Sequence, residues 1–302
     1  MGRRLAFFAV VFFGCNGRGC GLPNTDDEQI IDTSERETGA TDTDPVGPCA
    51  VPEIEPNGSE AQAQLLPLES QGCGSFVGDL DLDYWLIDFE QDGWLSVELE
   101  ARSIGSLADP GLLLTSEGGM SAHVGDSTSG EDIRLIFPSG PERYHALVAE
   151  LQAGQGGENH DYEIMASWAK APISWNRDEV EPNDVFGAGQ VVEDGDLLFG
   201  WLNSSIDSDW YQIELAAGKQ TVILDLDAWE FGSAGDFKLI LYNEAQESLG
   251  TWYSGEVGWE LDPYVEITVP GNQILSLRVA EQRERFSALC WYVLDVKVES
   301  EE

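Results

Sequence analysis

The chain has 302 residues, of which 56 are acidic and 15 are basic, so its formal net charge is −41. This length suggests two domains of ordinary size. A hydrophobic fraction of 42% is enough for packed cores and excludes wholesale disorder. The negative charge excludes nucleic acids as partners, and also membrane docking through a basic face, because both need clustered Lys and Arg. It predicts a monomer, since like-charged chains repel one another.

The N-terminus has the layout of an export signal. Arg3 and Arg4 precede nine apolar residues, 5–13, and Gly14 is followed by Cys15. This apolar run is too short to cross a hydrocarbon core of about 30 Å as a helix. Residues 1–14 are therefore predicted to be a signal peptide. The Gly-Cys step resembles a bacterial lipoprotein cleavage site, which implies lipidation of Cys15; the alternative is a plain secretory signal, with Cys15 discarded or paired.

Residues 15–48 are predicted to form a disordered acidic tether behind that lipidated cysteine. Asp, Thr, Glu, Gly and Pro dominate this stretch, and such a composition buries too little apolar surface to offset the entropy of ordering. We expect the chain to reside at the bacterial cell envelope, held at the outer membrane or cell surface by lipid, or otherwise to be secreted. The lipid anchor is the only membrane contact that we expect.

If Cys15 carries lipid, four cysteines remain, and they allow three pairings. Export permits disulfides, and Cys49 with Cys73 is the preferred pair because these residues flank the start of the first domain. Cys290 lies in an apolar, strand-like run, which favours a buried thiol. Cys20 has no preferred partner, and the sequence does not settle the connectivity.

An internal repeat organises the chain after residue 48. Glu53-Ile-Glu55-Pro56-Asn57 recurs as Glu179-Val-Glu181-Pro182-Asn183, 126 positions further on. Asp81-Leu-Asp83-Tyr84-Trp85 recurs as Asp207-Ser-Asp209-Trp210-Tyr211 at the same offset. Such self-similarity is typical of tandem units. The sequence predicts a first unit at 49–168, a linker at 169–178 and a second unit at 179–299.

Each unit is patterned as short β-strands. Apolar residues alternate with polar ones at 85–89 and 95–99 in the first unit, and at 211–215 and 222–226 in the second. Turn residues such as Gly93 and Gly218 separate these runs. About eight strands in each unit, without a convincing amphipathic helix, predict an all-β protein made of two tandem antiparallel β-sandwiches, jelly-roll-like in form.

The Glu-x-Glu-Pro-Asn opening, followed by the Asp-x-Asp-aromatic step, resembles the bacterial pre-peptidase C-terminal domain. This family comprises β-sandwich modules that are usually appended to secreted peptidases and other exported proteins. It includes the collagen-binding modules of clostridial collagenases, some of which bind calcium. The resemblance covers both units, nearly all of the chain after residue 50.

The resemblance implies a calcium site in each unit, in which oxygen atoms from the opening and from the Asp-x-Asp turn converge. Carboxylate and amide oxygens are the donors that this hard cation prefers. The first unit has Gly58 where the second has Asp184, so its site is expected to be weaker. The alternative is that these side chains only cap turns. The residues carried over are Glu53, Glu55, Asn57, Asp81 and Asp83, and Glu179, Glu181, Asn183, Asp184, Asp207 and Asp209.

Catalytic interpretations find little support in the sequence. His123, His145 and His160 show no zinc-binding spacing. The sequence contains no Gly-x-Ser-x-Gly and no phosphate-cradling glycine loop, and paired carboxylates in so acidic a chain do not nominate a glycosidase. We expect a protein without enzymatic activity.

The sequence therefore predicts a non-catalytic envelope lipoprotein with two binding or scaffolding modules and calcium as its candidate cofactor. The runner-up is a surface module that recognises an extracellular protein or polysaccharide through exposed aromatic residues. Trp252, Tyr253 and Trp259 are the candidates for that role, because they lie in a Gly-rich, loop-like stretch. A third possibility, an accessory to a separate peptidase, rests on the family resemblance alone.

Overall fold

A computed structural model describes residues 49–78, 81–117, 121–124, 132–152, 156–202, 207–253, 262–282 and 289–300, with the backbone alone for 121–124. Residues from Pro48 onward form one compact unit. The predicted signal peptide, Cys15 and the tether lie outside the described residues. Within the described part of the chain, no helix has the length and apolar character needed to cross a membrane.

The first half of the compact unit folds into two five-stranded sheets. One sheet has the strand order β1-β3-β10-β5-β8 and the other has the order β2-β4-β9-β6-β7. The strands are β1 (Val51–Pro52), β2 (Gln64–Leu65), β3 (Ser70–Ser75), β4 (Leu82–Phe89), β5 (Gly93–Glu100), β6 (Pro110–Ser116), β7 (Ser121–Val124), β8 (Ile133–Ser139), β9 (Glu142–Glu150) and β10 (Asp161–Ala169). A single 3₁₀ turn, Glu60–Gln62, precedes β2.

The second half repeats this topology strand for strand. Its sheets have the orders β11-β13-β20-β15-β18 and β12-β14-β19-β16-β17. The strands are β11 (Arg177–Asp178), β12 (Gln190–Val192), β13 (Leu197–Trp201), β14 (Asp209–Glu214), β15 (Lys219–Asp227), β16 (Phe237–Tyr242), β17 (Ser248–Tyr253), β18 (Tyr264–Pro270), β19 (Ile274–Glu281) and β20 (Trp291–Ser300). A 3₁₀ turn spans Trp229–Phe231. Of the predicted linker, Ala169 ends β10, and Arg177 and Asp178 form β11.

The all-β prediction is confirmed, and the alternating residues supply the core. In β4, Trp85, Ile87 and Phe89 are at most 1% exposed, whereas their neighbours are more accessible. In β15, Val222 and Leu224 are fully buried in the second core. Burying one such side chain contributes about 1.5–3 kcal/mol relative to leaving it in water. The period of two therefore selects the inward face of each strand.

The sheets of both sandwiches are antiparallel except for one parallel pair at an edge of each sheet. β1 runs parallel to β3, and β2 runs parallel to β4; β11 and β12 pair with β13 and β14 in the same way. The chain crosses from one sheet to the other after β1 and crosses again in the same direction after β3. Two crossings in the same direction place parallel strands side by side. The four short edge strands therefore result from repeated inter-sheet crossings.

The two sandwiches contact each other through buried side chains and backbone. The hydrophobic cluster of the first sandwich continues into Phe199, Trp291 and Val293 of the second. The N–H of Ile136 donates to the carbonyl oxygen of Gly232 at 2.8 Å. The indole Nε1 of Trp291 donates to the carbonyl oxygen of Ile136 at 2.6 Å.

Candidate metal centres

The two inter-sheet crossings bring the repeated acidic motifs together. Residues 53–63 connect β1 to β2, and residues 76–81 connect β3 to β4. Because β1 lies parallel to β3, the two connections leave the same end of the same sheet. The backbone N–H of Tyr84 donates to the carbonyl oxygen of Asn57 at 3.1 Å and ties the connections together. The Glu-x-Glu-Pro-Asn opening thus lies beside the Asp-x-Asp turn.

In the first sandwich, Glu55, Asp81 and Asp83 each place a carboxylate oxygen within 4.8 Å of the others. Glu53 lies next to this group, and its carboxylate accepts a hydrogen bond from the backbone N–H of Ser75 at 3.1 Å. Glu55 accepts from the N–H of Asn57 at 3.0 Å across the cis Glu55–Pro56 bond. The cluster is therefore fixed by the backbone at both ends of the opening segment.

Asp83 is the buried centre of this first cluster. Its side chain is 0% exposed, and its Oδ2 accepts a hydrogen bond of 2.8 Å from the Tyr162 hydroxyl. The indole Nε1 of Trp85 donates in turn to the Tyr162 oxygen at 3.0 Å. Burial, together with the nearby charges of Glu53 and Asp81, raises the pKa of Asp83 to about 7 against the opposing effect of the Tyr162 hydrogen bond. The folded protein therefore favours the protonated form of Asp83, because no positive charge among the described residues nearby offsets the cost of burying the ionised form.

Several buried polar atoms at the first cluster have no hydrogen-bond partner among the described residues. They are Oδ1 and Nδ2 of Asn57, which is 1% exposed, and Oδ1 of Asp83. Leaving a buried polar group unsatisfied costs about 1–3 kcal/mol. Such atoms call for a further partner, such as an ion or a water molecule.

The second sandwich repeats the arrangement with equivalent residues. Glu179, Glu181 and Asp209 place carboxylate oxygens within 4.8 Å of one another. Glu181 accepts from the N–H of Asn183 at 2.9 Å, again across a cis Glu-Pro bond, and Glu179 accepts from the N–H of Trp201 at 3.1 Å. The Oδ1 and Nδ2 of Asn183 and the Oδ1 of Asp209 are buried without a hydrogen-bond partner in the described structure.

Two tyrosines hold the second cluster from the core side. The Tyr292 hydroxyl donates to Oδ2 of Asp209, and the hydroxyl oxygens of Tyr211 and Tyr292 are 2.6 Å apart. Burial raises the pKa of Glu179 to about 7, and repulsion from Glu181 adds to the increase. Burial and the charge of Glu179 raise the pKa of Asp209 well above its ordinary value. Two buried carboxylates this close do not both ionise easily without a cation.

A glycine makes room for the cluster at the same position in each repeat. A Cβ added to Gly74 would lie 2.3 Å from both the Glu53 carboxylate and the Tyr162 hydroxyl. A Cβ added to the equivalent Gly200 would lie 2.6 Å from the Tyr292 hydroxyl. These close approaches explain why β3 and β13 each need a residue without a side chain here.

The remaining predicted ligands lie at the rim of the second cluster. The charge of Asp207 contributes to the raised pKa values of Glu179 and Asp209. Asp184 accepts a hydrogen bond of 3.3 Å from the N–H of Ser208, between the two aspartates of the turn. Gly58 offers no side-chain oxygen at the position equivalent to Asp184. The structure thus brings the predicted residues of each repeat into one neighbourhood.

The donor sets fit a hard divalent cation. Each cluster offers only carboxylate and amide oxygens, the ligands of calcium and magnesium, and includes no sulfur or imidazole that would favour zinc. A cation between the carboxylates would offset their mutual repulsion and give the buried Asn and Asp oxygens a partner. The residues present therefore fit calcium, the cation that the sequence analysis nominated.

Sequence reasoning missed the tyrosines that support both clusters. Tyr162 lies 79 positions from Asp83, and Tyr292 lies 83 positions from Asp209. The available signal was that β10 and β20 occupy equivalent places in the repeat. Each tyrosine occupies the second position of its strand, Asp161–Ala169 or Trp291–Ser300.

The other predicted residues lie elsewhere. Cys49 and Cys73 form a disulfide with a Cα–Cα distance of 6.0 Å, and Cys290 is buried. Trp252 is partly buried against the second core, whereas Tyr253 is 56% exposed at the end of β17. Trp259 and Cys15 lie outside the described residues.

No protein-family model and no curated protein matches this sequence. Among solved structures, the pre-peptidase C-terminal domain of collagenase from Bacillus anthracis is similar over 37% of this chain and 94% of its own, with 13% identity and a TM-score of 0.28. The tandem CBM51 modules of a family 98 glycoside hydrolase from Streptococcus pneumoniae cover 75% of this chain and 83% of their own, with 8% identity and a TM-score of 0.25. TM-scores this low assign the chain to neither a family nor a ligand.

Proposed function

We propose that this chain is a non-catalytic exported protein that displays two β-sandwich modules for binding or scaffolding at the cell envelope, each stabilised by calcium. The observation that carries the proposal is the pair of equivalent buried sites with unsatisfied oxygens. Asn57 and Asn183 are each 1% exposed, and the side chains of both lack hydrogen-bond partners within the described structure. Each lies next to a buried aspartate, Asp83 or Asp209, whose pKa is raised by burial.

In this proposal the ligands come from both connections of each sandwich. Glu53, Glu55, Asn57, Asp81 and Asp83 would hold the first ion. Glu179, Glu181, Asn183, Asp207 and Asp209 would hold the second ion, with Asp184 available at the rim. The bound ion would attract carboxylates from both inter-sheet connections of its sandwich, at the edges of the two sheets. Its effect would be to hold those edges together and stabilise the fold.

The burial of Asp83 and Asp209 favours a structural role for the clusters over a catalytic one. Asp83 and Asp209 are 0% exposed and are held by tyrosine hydroxyls from the core side. A catalytic carboxylate must come within about 3 Å of a substrate atom, directly or through one water. The fully buried carboxylates of Asp83 and Asp209 do not offer that access.

The envelope location and the lipid anchor are proposed from the sequence of residues 3–15 alone. A basic start, a short apolar run and a Gly-Cys step support them. Growth of the producing cells with radiolabelled fatty acid tests the anchor. Label should enter the parent chain and be absent from a Cys15→Ala variant. Equal labelling of both chains would refute lipidation at this residue.

Recognition of an extracellular protein or polysaccharide remains the second candidate function. Tyr253 favours it, because this large side chain is 56% exposed next to the partly buried Trp252 on the edge strand β17. Pull-down with insoluble polymers would test this role. A Tyr253→Ala variant should lose retention while its melting temperature stays unchanged.

Calorimetric titration of calcium into the chelator-treated chain tests the metal proposal directly. Two binding events are expected, with the first sandwich weaker because it has Gly58 in place of Asp184. A concentration one hundred times the Kd should add about 2.7 kcal/mol to the stability of the occupied module. Asp209→Asn and Asn183→Ala should each remove the tighter event. Asp88→Asn removes the same charge at an exposed position and serves as the control.

The proposal fails if neither heat nor a change in melting temperature accompanies about 10 mM calcium, a level above the Kd of about 10⁻⁴–10⁻³ M typical of extracellular modules. It also fails if Asp88→Asn weakens binding as much as Asp209→Asn does, because the effect would then be general screening of an acidic surface.

A further inference from the structure

A cleft of about 300 Å³ lies where the two sandwiches meet. One wall comes from Trp94 of β5 and the other from Trp175, Phe199 and Trp201 of the second half of the chain. Trp201 is 37% exposed, and Trp94 and Trp175 are partly buried. The cleft therefore presents aromatic surface from both halves of the molecule to solvent.

The aromatic rings are arranged as a connected group. Trp175 stacks on Phe199 with ring centroids 4.6 Å apart and an interplanar angle of 26°. Trp201 meets Phe199 edge-on at 5.6 Å, and Trp94 lies 6.1 Å from Trp175. Trp94, Trp175 and Trp201 thus lie at different angles around one cleft. Such an arrangement is typical of aromatic cages for positively charged groups.

The cleft is preorganised by contacts between the sandwiches. Trp94 packs edge-on against Trp291 at 5.2 Å. Trp291 donates its indole hydrogen to the carbonyl oxygen of Ile136, and the N–H of Ile136 donates to Gly232. These hydrogen bonds join the two walls, so a ligand need not organise the aromatic group when it enters.

Carboxylates complete the lining of the cleft. Asp178 is exposed, and its Oδ1 accepts a hydrogen bond of 2.8 Å from Nε1 of Trp175, which fixes the orientation of that ring. Glu179 follows it in the chain and also lines the cleft. Among the described residues that line the cleft, none is basic. The net charge of −41 adds a negative field over the whole surface.

We propose that this cleft binds an organic cation, namely an alkylammonium group. The faces of the tryptophan rings attract such a cation, and Asp178 provides a carboxylate beside them. The ammonium group could come from a lysine side chain of a polypeptide or from a small quaternary ammonium compound. The carboxylate assigned to the cation is Asp178, which lies outside the second candidate metal cluster; Glu179 belongs both to that cluster and to the lining of the cleft.

A neutral sugar ring is the competing ligand, since it would also stack on tryptophan. The observations favour the cation because the polar groups that line the cleft are carboxylates, which attract positive charge. A neutral ligand would gain nothing from the negative field of the protein. Charge dependence therefore separates the two ligands.

Isothermal titration calorimetry on the full chain tests the proposal with defined probes. Choline and Nα-acetyl-lysine methylamide should each bind, and their ratio of affinities identifies which source of ammonium the cleft prefers. Their neutral counterparts, 3,3-dimethylbutan-1-ol and the Nε-acetylated lysine derivative, should bind at least about tenfold more weakly. Cellobiose should give no heat. Performing all of these titrations in chelator keeps the result independent of whether the metal proposal holds.

Two variants locate the binding to the cleft. Asp178→Asn keeps an oxygen that accepts the Trp175 hydrogen bond and removes only the charge, so ammonium affinity should fall about threefold to tenfold. Asp92→Asn removes the same charge at an exposed position outside the cleft and should have no effect. Trp201→Ala should weaken binding about threefold to thirtyfold. Trp168→Ala is the matched control, because Trp168 is 40% exposed but lies outside the cleft, and it should not weaken binding.

Three results would overturn the proposal. The first is no saturable heat from either ammonium probe, and the second is equal affinity for the charged and neutral members of a pair. The third is an unchanged ammonium affinity in both Asp178→Asn and Trp201→Ala. Binding of cellobiose alone would assign the cleft to a neutral sugar and would also refute the cationic ligand.

Discussion

Replacing Asp83 with asparagine should stabilise the metal-free protein while abolishing calcium binding in the first sandwich. Asp83 is fully buried, and burial raises its pKa from an ordinary value of 3.8 to about 7. A carboxyl group whose pKa is raised by folding favours the folded state when it is protonated, and this advantage is lost as the pH rises towards the folded-state pKa. Asparagine keeps an oxygen that accepts the Tyr162 hydrogen bond, and it never ionises.

The magnitude follows from the two pKa values. At about 1.4 kcal/mol per pH unit between them, ionised Asp83 costs the metal-free fold at most about 4 kcal/mol at about pH 8. At about pH 5 most of the folded protein carries protonated Asp83, and the expected gain from asparagine falls to about 1.5 kcal/mol. Stabilisation by this substitution should therefore grow as the pH rises through the interval between 3.8 and about 7.

Denaturant unfolding in the presence of chelator, followed by tryptophan fluorescence at both pH values, measures this effect. Asp81→Asn is the matched control, because Asp81 belongs to the same cluster but is only partly buried. It should impair calcium binding without a comparable gain in metal-free stability. A metal-free Asp83→Asn chain that is less stable than the parent at pH 8, or a gain that does not change with pH, would refute the reasoning.

Three further predictions test the fold. Replacing both Cys49 and Cys73 by serine should lower the free energy of unfolding by about 3.5 kcal/mol, because the disulfide joins residues that are 24 positions apart. Denaturant unfolding measures this loss, and a loss below about 1 kcal/mol would contradict the prediction. Gly232→Ala should lower the melting temperature. Gly232 has a φ of 91°, and a Cβ there would lie 2.8 Å from the backbone nitrogen of Ile136. An unchanged melting temperature would show that this contact between the sandwiches accommodates a side chain. Leu224→Ala, in the second core, should lower the free energy of unfolding by about 2–5 kcal/mol. Leu65→Ala, at a side chain that is 52% exposed, should lower it by less than about 1 kcal/mol. Equal losses in urea unfolding would contradict the assigned burial.

The sequence predicted much of the candidate metal sites because their ligands are local. Glu53, Glu55 and Asn57 fall within five residues, and Asp81 and Asp83 within three. Both motifs recur 126 positions further on, so the same set of ligands was predicted in each unit. What the sequence did not provide is the partner of each motif across the chain. Neither Tyr162 nor Tyr292 was among the predicted site residues, although each donates a hydrogen bond to the buried aspartate of its cluster.

The aromatic candidates show the limit of sequence reasoning more sharply. Trp252 and Tyr253 were selected because they lie in a Gly-rich stretch, but the structure places both in β17, with Trp252 against the second core. The cleft between the sandwiches is lined instead by Trp94, Trp175 and Trp201. Trp94 is 81 positions from Trp175, so no local pattern indicates that they line one space.

The sequence by itself determined the all-β class, the two-fold repeat and the inward face of the strands, because these follow from alternation and recurrence along the chain. Only the tertiary structure decided that the edge strands run parallel, that buried tyrosines hold the acidic clusters, and that an aromatic cleft forms between the sandwiches. The physical reason is that a period of two fixes which side chains face a core. It does not specify which distant strand, loop or ring they meet there.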